Sequence, residues 1–169
     1  STSLTTKLIF NEHEGEIFSG LQGGLIIVWD LTLEKQKYNL KGHSSEITAL
    51  SLKRIEEIPS ILASASYDGK FKIWYIRSKK CVLHIKVNSL PIRDISLSPD
   101  CTFIATGGDN GIVSLWDIRK TCKLKDLIIP HQNTINCIEF NPYSYTIAYG
   151  CNDKTVKHWD LESYELISI

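Results

Sequence analysis

Short runs in which apolar and polar residues alternate follow one another along the chain, and each has the length of a β-strand. Residues 47–52, 92–97 and 135–140 are the clearest examples, and alternate side chains in them would point to opposite faces of a sheet. Shorter runs rich in small residues follow, for example residues 62–64 and 104–106. The pattern predicts antiparallel hairpins. The longer, charged stretch at residues 53–60 is predicted to be a loop insertion between two strands.

Four tryptophans mark a repeat among these predicted strands. Trp29, Trp74, Trp116 and Trp159 are separated by 45, 42 and 43 residues, and each lies in a β-branched, apolar run. Gly, Asn or Asp residues precede each run, as in hairpin turns that require positive φ. A period of about 40–45 residues indicates a repeat protein, in which each unit buries its apolar face against its neighbours. We therefore predict four units of four strands, at about residues 3–41, 42–87, 88–129 and 130–169.

The repeated text resembles the WD-repeat β-propeller family, which is named for a Trp-Asp dipeptide. Trp29, Trp116 and Trp159 are each followed by Asp, and Gly42-His43 matches the Gly-His signature of the family. The resemblance implies an all-β fold of four-stranded antiparallel blades. It also implies that four blades are part of a larger, seven-bladed ring, with open edges through which such a fragment could associate with itself.

The same resemblance implies a hydrogen-bonded tetrad of His, Ser or Thr, Asp and Trp in each blade. The second repeat has the complete set: His43, Ser64, Asp68 and Trp74. The other repeats keep parts of it: Ser19 and Trp29 in the first, with Gly23 at the Asp position; Thr106 and Trp116 in the third, with Asn88 and Asn110; and His131, Asp153 and Trp159 in the fourth, with Tyr149. Since these residues recur with the repeat and include a strand tryptophan, we interpret them as structural and not as a hydrolase triad.

Composition narrows the class of function. The chain has 19 Lys and Arg against 19 Asp and Glu, which argues against a general nucleic-acid-binding surface. No apolar run approaches the roughly 20 residues that cross a bilayer, so no membrane contact is expected. The five cysteines form no CxxC pair, and no metal, cofactor or catalytic motif is present. We expect a cytoplasmic protein-binding scaffold without a cofactor and without enzymatic activity.

Several runs resemble the katanin regulatory-subunit family more closely: residues 17–30, 116–120, 138–142 and 152–162. In that family a WD-repeat propeller precedes a helical region that engages a microtubule-severing AAA ATPase. The resemblance implies that this chain carries blades two to five, that the ATPase contact lies in a region absent here, and that the protein is associated with microtubules and the cytoskeleton. A generic WD-repeat adaptor, such as a substrate receptor of a ubiquitin ligase, is the alternative.

Propeller topology assigns the predicted turns to two faces. Turns after the third strands carry basic residues on one face: Lys35 and Lys37, then Arg77, Lys79 and Lys80, then Arg119 and Lys120. Such a rim would suit acidic tubulin tails, although an ordinary solvated surface is the alternative. The other face carries further candidates for partner binding: Tyr67, Arg93, Asp109 and Asn152. Tyr67 and Arg93 are favoured because Tyr and Arg are enriched at binding hot spots.

Overall fold

The computed structural model describes residues 3–55, 58–120, 122–127 and 133–168. Within these ranges every helix or strand is a β-strand, and the strands form four antiparallel sheets of four. The predicted all-β fold of four-stranded blades is thereby confirmed. The described ranges contain no helix that could span a membrane.

Each sheet is made of four consecutive strands in chain order. The first sheet contains β1 (Thr5–Asn11), β2 (Glu16–Leu21), β3 (Ile26–Asp30) and β4 (Lys35–Leu40). The second contains β5 (Ile47–Ile55), β6 (Ile58–Ser66), β7 (Lys70–Tyr75) and β8 (Lys80–Lys86). The third contains β9 (Ile92–Leu97), β10 (Phe103–Gly108), β11 (Val113–Asp117) and β12 (Cys122–Leu127). The fourth contains β13 (Ile135–Phe140), β14 (Thr146–Cys151), β15 (Val156–Asp160) and β16 (Glu165–Ser168).

The hairpin between β5 and β6 is longer than the sequence predicted. Lys53 pairs with Ile61, and Ile55 pairs with Ile58, so both strands continue into the charged stretch. The prediction of a loop insertion at residues 53–60 was therefore wrong, apart from residues 56–57, which lie outside the described residues. Strand pairing uses backbone N–H and C=O groups, and these are available in a charged segment as well as in an apolar one.

The aspartate of the Trp-Asp dipeptide fixes the turn after the third strand of a sheet. Asp117 Oδ1 accepts hydrogen bonds from the backbone N–H groups of Arg119 at 2.8 Å and Lys120 at 3.1 Å. Asp30 and Asp160 accept the same pair of hydrogen bonds in the first and fourth sheets. The dipeptide is therefore a turn signal, since a short acceptor side chain satisfies backbone donors that the turn would leave unpaired.

The sheets pack side by side in chain order, with β1 against β5, β5 against β9 and β9 against β13. We call the side of each sheet that carries its tryptophan the Trp face, and the other side the opposite face. The Trp face of one sheet packs on the opposite face of the sheet before it. At the second junction the rings of Trp116 and Phe71 meet edge to face, 5.3 Å apart. Each large apolar side chain buried in this way contributes about 1.5–3 kcal/mol.

Two glycines allow the sheets to approach closely. A Cβ atom on Gly20 would lie 2.6 Å from Cγ2 of Ile47, and one on Gly107 would lie 2.5 Å from Cδ1 of Ile138. An isoleucine from the first strand of the next sheet therefore fills the space above each glycine. Small residues on the second strands are thus a packing requirement, which explains the small-residue runs in the sequence.

Candidate partner-binding site and the buried tetrad

The second sheet contains a continuous hydrogen-bond chain of four side chains. Trp74 Nε1 donates to Ser64 Oγ at 2.9 Å, and Ser64 Oγ lies 2.8 Å from His43 Nε2. The other ring nitrogen, Nδ1, lies 3.1 Å from Oδ2 of Asp68. His43 precedes β5, Ser64 lies on β6, Asp68 lies in the turn before β7, and Trp74 lies on β7. The tetrad therefore links the segment before β5 to β6, to β7 and to the turn between these two strands.

The arrangement of donors assigns a neutral imidazole to His43. With the proton on Nδ1, the ring donates to Asp68, and Nε2 accepts from the Ser64 hydroxyl, which itself accepts from Trp74. A second proton on Nε2 would leave the Ser64 hydroxyl without its acceptor. Burial accordingly lowers the pKa of His43 below its usual value of 6.5, although Asp68 opposes this.

The Asp68 carboxylate is held by backbone donors as well as by the imidazole. The N–H groups of Ser44 and Lys70 donate to Oδ2 and Oδ1, each at 3.0 Å. Burial alone would raise the pKa of Asp68, but these hydrogen bonds and His43 lower it below its usual value of 3.8. The Ser-His-Asp geometry resembles that of a hydrolase, yet the Ser64 side chain is completely buried. A nucleophile there could not reach a substrate, which supports the structural interpretation.

The third sheet keeps only half of the tetrad. Trp116 Nε1 donates to Thr106 Oγ1 at 2.9 Å. The two asparagines that replace His and Asp cap their own turns instead: Asn88 Oδ1 accepts from the N–H of Leu90 and Asn110 Oδ1 from that of Ile112. The side-chain oxygen of each asparagine is therefore satisfied by a hydrogen bond within its own turn, and it requires no partner at Thr106.

The fourth and first sheets differ again. His131 lies outside the described residues, so the fourth tetrad is described only through Asp153, Tyr149 and Trp159. Asp153 Oδ1 accepts from the N–H and hydroxyl of Thr155. Trp159 Nε1 is buried beside the Tyr149 side chain, but it makes no hydrogen bond within 3.5 Å to the described part of the chain. In the first sheet Ser19 Oγ lies 3.2 Å from Thr5 Oγ1, and Trp29 is 39 % exposed.

A second cluster lies at the ends of the first strands, on the face formed by the turns that precede the first and third strands. Arg93 Nε donates to Asp109 Oδ1 at 2.7 Å, and Nη2 donates to Oδ2 at 3.1 Å. The same guanidinium lies 5.0 Å from the ring centroid of Tyr67, which is 40 % exposed. A bidentate pair fixes the plane of a guanidinium, and an aromatic ring then stacks on a fixed partner. Tyr67 and Arg93 therefore form a preorganised, partly exposed pair contributed by two neighbouring sheets.

This pair lines an open pocket of about 290 Å³ to which all four sheets contribute. Its other lining residues come from the first strands and the segments before them: Thr6, Lys7, Glu46, Ile47, Thr48 and Asn136. Asn136 Nδ2 donates to Asn152 Oδ1 at 2.6 Å. Three of the four predicted residues therefore meet directly at Arg93, and Asn152 joins the pocket through Asn136. The lining carries both signs of charge, so it suits a polar peptide segment.

Sequence reasoning missed Thr6, Lys7, Ile47, Thr48 and Asn136 as members of this pocket. The register of the sheets contains the signal that would have found three of them. Each first strand carries a polar residue at its second position: Thr6, Thr48, Arg93 and Asn136. Thr6 Oγ1 and Thr48 Oγ1 donate to the carbonyl groups of Ile47 and Ile92 in the next sheet. Residues at one repeat position lie around one axis, because the first strands are innermost.

The predicted basic rim lies at the other end of the strands, where Arg77, Lys79, Lys80, Arg119 and Lys120 are all exposed. Two of these basic side chains already make electrostatic contacts within the chain. Lys79 Nζ lies 4.7 Å from the ring centroid of Tyr38, and Arg119 Nε lies 3.8 Å from Asp117 Oδ1. Among the residues that the structure describes, Arg77, Lys80 and Lys120 form no ion pair within 4.0 Å.

Lys37, which the sequence placed on the same rim, pairs with a buried carboxylate. Its Nζ lies 2.7 Å from Oε1 of Glu16, whose side chain is only 1 % exposed. This ion pair neutralises Glu16 inside the first sheet. The effective positive charge of the rim is therefore smaller than its count of basic residues suggests.

An apolar hollow of about 200 Å³ on the rim side was not predicted from the sequence. Its lining is rich in proline and tyrosine: Pro99, Asp100, Phe140, Pro142, Tyr143, Ser144 and Tyr145. Tyr145 donates its hydroxyl to Asp100 Oδ2 at 3.1 Å, and Tyr143 is 94 % exposed. Two tyrosines in one turn after Asn141-Pro142 are the sequence signal for this surface.

Comparison with known families matches the chain to the model described as WD domain, G-beta repeat, over residues 34–75, 79–117 and 122–160. The segments cover most of the chain, and each ends on the residue that follows a repeat tryptophan. The chain belongs to this family. WD-repeat domains serve as scaffolds for protein–protein interactions and are generally not catalytic themselves, which agrees with the burial of the tetrad.

The relatives that share this repeat are very different proteins. The chain is 37 % identical over 141 residues to myosin heavy chain kinase C of Dictyostelium discoideum, which covers 82 % of this chain and 16 % of the relative. It is 27 % identical over 156 residues to the GATOR2 complex protein WDR24 of Homo sapiens, covering 89 % of this chain and 20 % of the relative. It is 26 % identical over 157 residues to the E3 ubiquitin-protein ligase COP1 of Arabidopsis thaliana, covering 92 % and 23 %. The chain thus spans less than a quarter of the length of each of these relatives.

Proposed function

We propose that this WD-repeat chain is an interaction module that binds a peptide segment of a protein partner at the pocket around Tyr67 and Arg93. The observation that carries the proposal is the partly exposed Tyr67 ring, which stacks on an Arg93 guanidinium that Asp109 fixes with two hydrogen bonds. Tyr and Arg are the side chains most often found at interface hot spots. A side chain that is already ordered loses less entropy on binding, so a preorganised pair is a favourable anchor.

The pocket also has room and polarity for a bound segment. It is open, and its lining combines Lys7 and Arg93 with Glu46 and Asn136. A peptide can therefore pair charges of either sign while its backbone groups meet amide and hydroxyl partners. No side chain of this site needs to act as a nucleophile or base, so the proposal assigns binding without turnover to this chain.

A selection from a phage-displayed library of disordered protein segments tests this site. Peptides selected on the wild-type chain are expected to bind the Tyr67→Ala and Arg93→Ala variants at least tenfold more weakly, which corresponds to about 1.4 kcal/mol. Tyr143→Ala is the matched control, since it removes an exposed tyrosine from the other end of the strands. Peptides that bind all three variants as tightly as the wild type would overturn the assignment of the site.

Within this class we propose the role of a katanin-like regulatory subunit, which targets or regulates a microtubule-severing AAA ATPase in the cytoplasm. Its support is the resemblance of residues 17–30 and 152–162, together with the exposed Arg77, Lys80 and Lys120 side chains on one rim. On this proposal the rim attracts acidic tubulin tails, and the ATPase is engaged by a region outside this chain. Attraction of this kind is long-ranged and weakens with salt.

Co-sedimentation with microtubules at low and at physiological salt tests the finer role. The double variant Lys80→Glu/Lys120→Glu is expected to lose most of the low-salt binding. The control Lys41→Glu/Lys86→Glu makes the same change in net charge at the other end of the strands, and it is expected to retain binding. Equal binding by both double variants would contradict a role for the rim.

A ubiquitin-ligase substrate receptor is the second candidate, and the similarity to COP1 favours it. This role would use the same pocket with a degradation-signal peptide in place of a microtubule-associated one. Identification of the selected peptides distinguishes the two, because the sequences would belong to microtubule proteins in one case and to ubiquitinated substrates in the other.

A further inference from the structure

The apolar hollow on the rim side lies at the junction of the third and fourth sheets. Pro99 and Asp100 come from the turn between β9 and β10, and residues 142–145 come from the turn between β13 and β14. Phe140, which is almost completely buried at the end of β13, completes the lining. Both sides of the hollow therefore belong to a junction inside the described chain, and neither is the outer face of a first or last sheet.

The turn that carries the two tyrosines of the hollow does not need their side chains. Asn141 closes this turn, because its backbone N–H donates to the carbonyl group of Thr146 and its Oδ1 accepts the N–H of Tyr143, each at 2.9 Å. Nevertheless Tyr143 is 94 % exposed and Tyr145 is 48 % exposed. Neighbouring large apolar side chains that are exposed without a local structural role are typical of an interaction surface.

The third sheet holds Tyr145 in place. Its hydroxyl donates to Asp100 Oδ2 at 3.1 Å. Ser98 and Thr102 donate their own hydroxyls to the Asp100 carboxylate, each at 2.6 Å. An aromatic ring that is already ordered loses little conformational entropy when a partner packs on it. The side of the hollow formed by Tyr145 is therefore preorganised, and the exposed Tyr143 stands beside it.

The size and the lining of the hollow favour a proline-containing segment over a small molecule. Its volume of about 200 Å³ is below the roughly 300–1,000 Å³ of pockets that enclose small ligands. Aromatic-lined grooves are the surfaces on which polyproline II segments dock. Such a segment makes no internal hydrogen bonds, so its carbonyl groups are available to a tyrosine hydroxyl at the edge of the groove.

The charges near the hollow indicate which side chain would accompany the prolines. The hydrogen bond to Asp100 and the charge of Asp100 raise the pKa of Tyr145 above its usual value of 10.0. Glu162 acts in the same direction, and only the charge of Arg119 opposes them. Arg119 Nε also lies 3.8 Å from Oδ1 of Asp117, which offsets part of its charge. The carboxylates therefore prevail at this edge of the hollow, and a basic side chain is complementary to them.

We propose that the apolar hollow binds an extended, proline-containing segment of a partner protein, in which a basic residue beside the prolines lies toward Asp100 and Glu162. This surface is distinct from the pocket around Tyr67 and Arg93, which lies at the other end of the strands. The proposal does not rest on the function of that pocket, so either can fail without the other.

A nuclear magnetic resonance titration tests this proposal. The isotope-labelled chain is titrated with two oligoproline peptides, of which one ends in arginine and the other in glutamate. The arginine peptide is expected to shift the backbone amide signals of Tyr143, Ser144 and Tyr145, and to bind more tightly than the glutamate peptide. A peptide of equal length that ends in arginine but has alanine and serine in place of the prolines is the control. Equal shifts with this control, or no shifts up to millimolar peptide, would overturn the proposal.

Variants of exposed side chains locate the binding site. Tyr143→Ala is expected to weaken binding of the arginine peptide about tenfold, as for a hot-spot tyrosine, and to fold normally because the side chain is exposed. Tyr75→Ala is the matched control, since Tyr75 is 43 % exposed in the second sheet and lies outside the hollow. Equal binding by these two variants would overturn the assignment to the hollow.

Two further variants separate the charge of the hollow from the function of the other pocket. Glu162→Lys is expected to remove the preference for the arginine peptide over the glutamate peptide, and an unchanged preference would overturn the role of the basic residue. Tyr67→Ala is expected to bind the arginine peptide like the wild type. A partner that binds at the hollow is therefore lost with Tyr143→Ala and retained by Tyr67→Ala, the reverse of a partner that binds at the pocket.

Discussion

Trp74 donates its indole N–H to the buried hydroxyl of Ser64 at 2.9 Å, which joins the third strand of the second sheet to the second. Ser64 passes the interaction on to His43, so one hydroxyl group satisfies two buried partners. The tetrad is thus a closed polar network inside an apolar junction. Such a network stabilises only while each member is satisfied.

Replacement of Ser64 by Ala is expected to destabilise the chain by about 2–3 kcal/mol, because it leaves both the indole N–H and the imidazole Nε2 buried without a partner. Urea denaturation followed by circular dichroism measures the change. Ser78→Ala is the control, since this exposed hydroxyl donates only to the carbonyl of Tyr75, and a change within about 0.5 kcal/mol is expected. Equal effects of the two substitutions would contradict the role of the tetrad.

The lowered pKa of His43 predicts a loss of stability in mild acid. Because the unfolded chain takes up the proton near pH 6.5 and the folded chain only at a lower pH, the unfolded state binds more protons in between. The contribution of His43 is therefore complete above pH 6.5 and decreases as the pH falls below it. The lowered pKa of Asp68 adds a separate loss below about pH 3.8.

Urea denaturation between pH 8 and pH 5 measures this dependence, with His43→Gln as the comparison. The free energy of unfolding of the wild type is expected to fall more steeply below pH 6.5 than that of the variant, which has no proton to take up at this position. Parallel curves for the two proteins would show that the imidazole is not kept neutral by its surroundings.

Close packing at Gly107 predicts a position-specific cost of adding one methyl group. Gly107→Ala is expected to destabilise by about 1–3 kcal/mol, because the new Cβ would meet Ile138 and Ile135 of the next sheet at under 3 Å. Gly150→Ala is the control at the equivalent position of the fourth sheet, where, among the described residues, the new Cβ would closely approach only the Sγ atom of the exposed Cys137. Thermal or urea unfolding that ranks the two variants in the reverse order would contradict the described junction.

Lys154 occupies a turn position with φ of 69°, where the first three sheets have Gly24, Gly69 and Gly111. A side chain in this left-handed conformation costs about 1 kcal/mol, which glycine avoids. Lys154→Gly is therefore expected to raise the free energy of unfolding by up to that amount, less the extra entropy of glycine in the unfolded chain. A clear loss of stability in urea denaturation would show that the lysine side chain makes a compensating contact.

The resemblance to the WD-repeat family implied the blade architecture. The repeat period was sufficient to predict four units of four strands, because strand length, turn residues and the recurring tryptophan all specify the same unit. It was not sufficient for the details of single loops. The charged residues 53–55 continue a hairpin because backbone pairing does not depend on side-chain polarity. Asn88 and Asn110 are used by their own turns, and composition alone does not tell a local cap from a contact across the blade.

Only part of the candidate site was predictable from the sequence. Tyr67 and Asp109 stand in hairpin turns, and Arg93, the second residue of β9, was selected because Arg, like Tyr, is enriched at binding hot spots. Thr6 and Asn136 lie on strands, and their place in the pocket depends on how neighbouring sheets are arranged around the first strands. That arrangement follows from three-dimensional packing, so it becomes visible only when equivalent positions of the four repeats are superimposed.

The most direct test of the account is quantitative affinity capture from cytosol on the wild-type chain, the Tyr67→Ala/Arg93→Ala variant and the Tyr143→Ala control. The account predicts a discrete set of proteins that the wild type and the control retain and the double variant loses. The identity of that set then decides between a microtubule-severing role and another adaptor role. Recovery of the same proteins on all three would contradict the claim that this chain works by binding a partner at the Tyr67–Arg93 pocket.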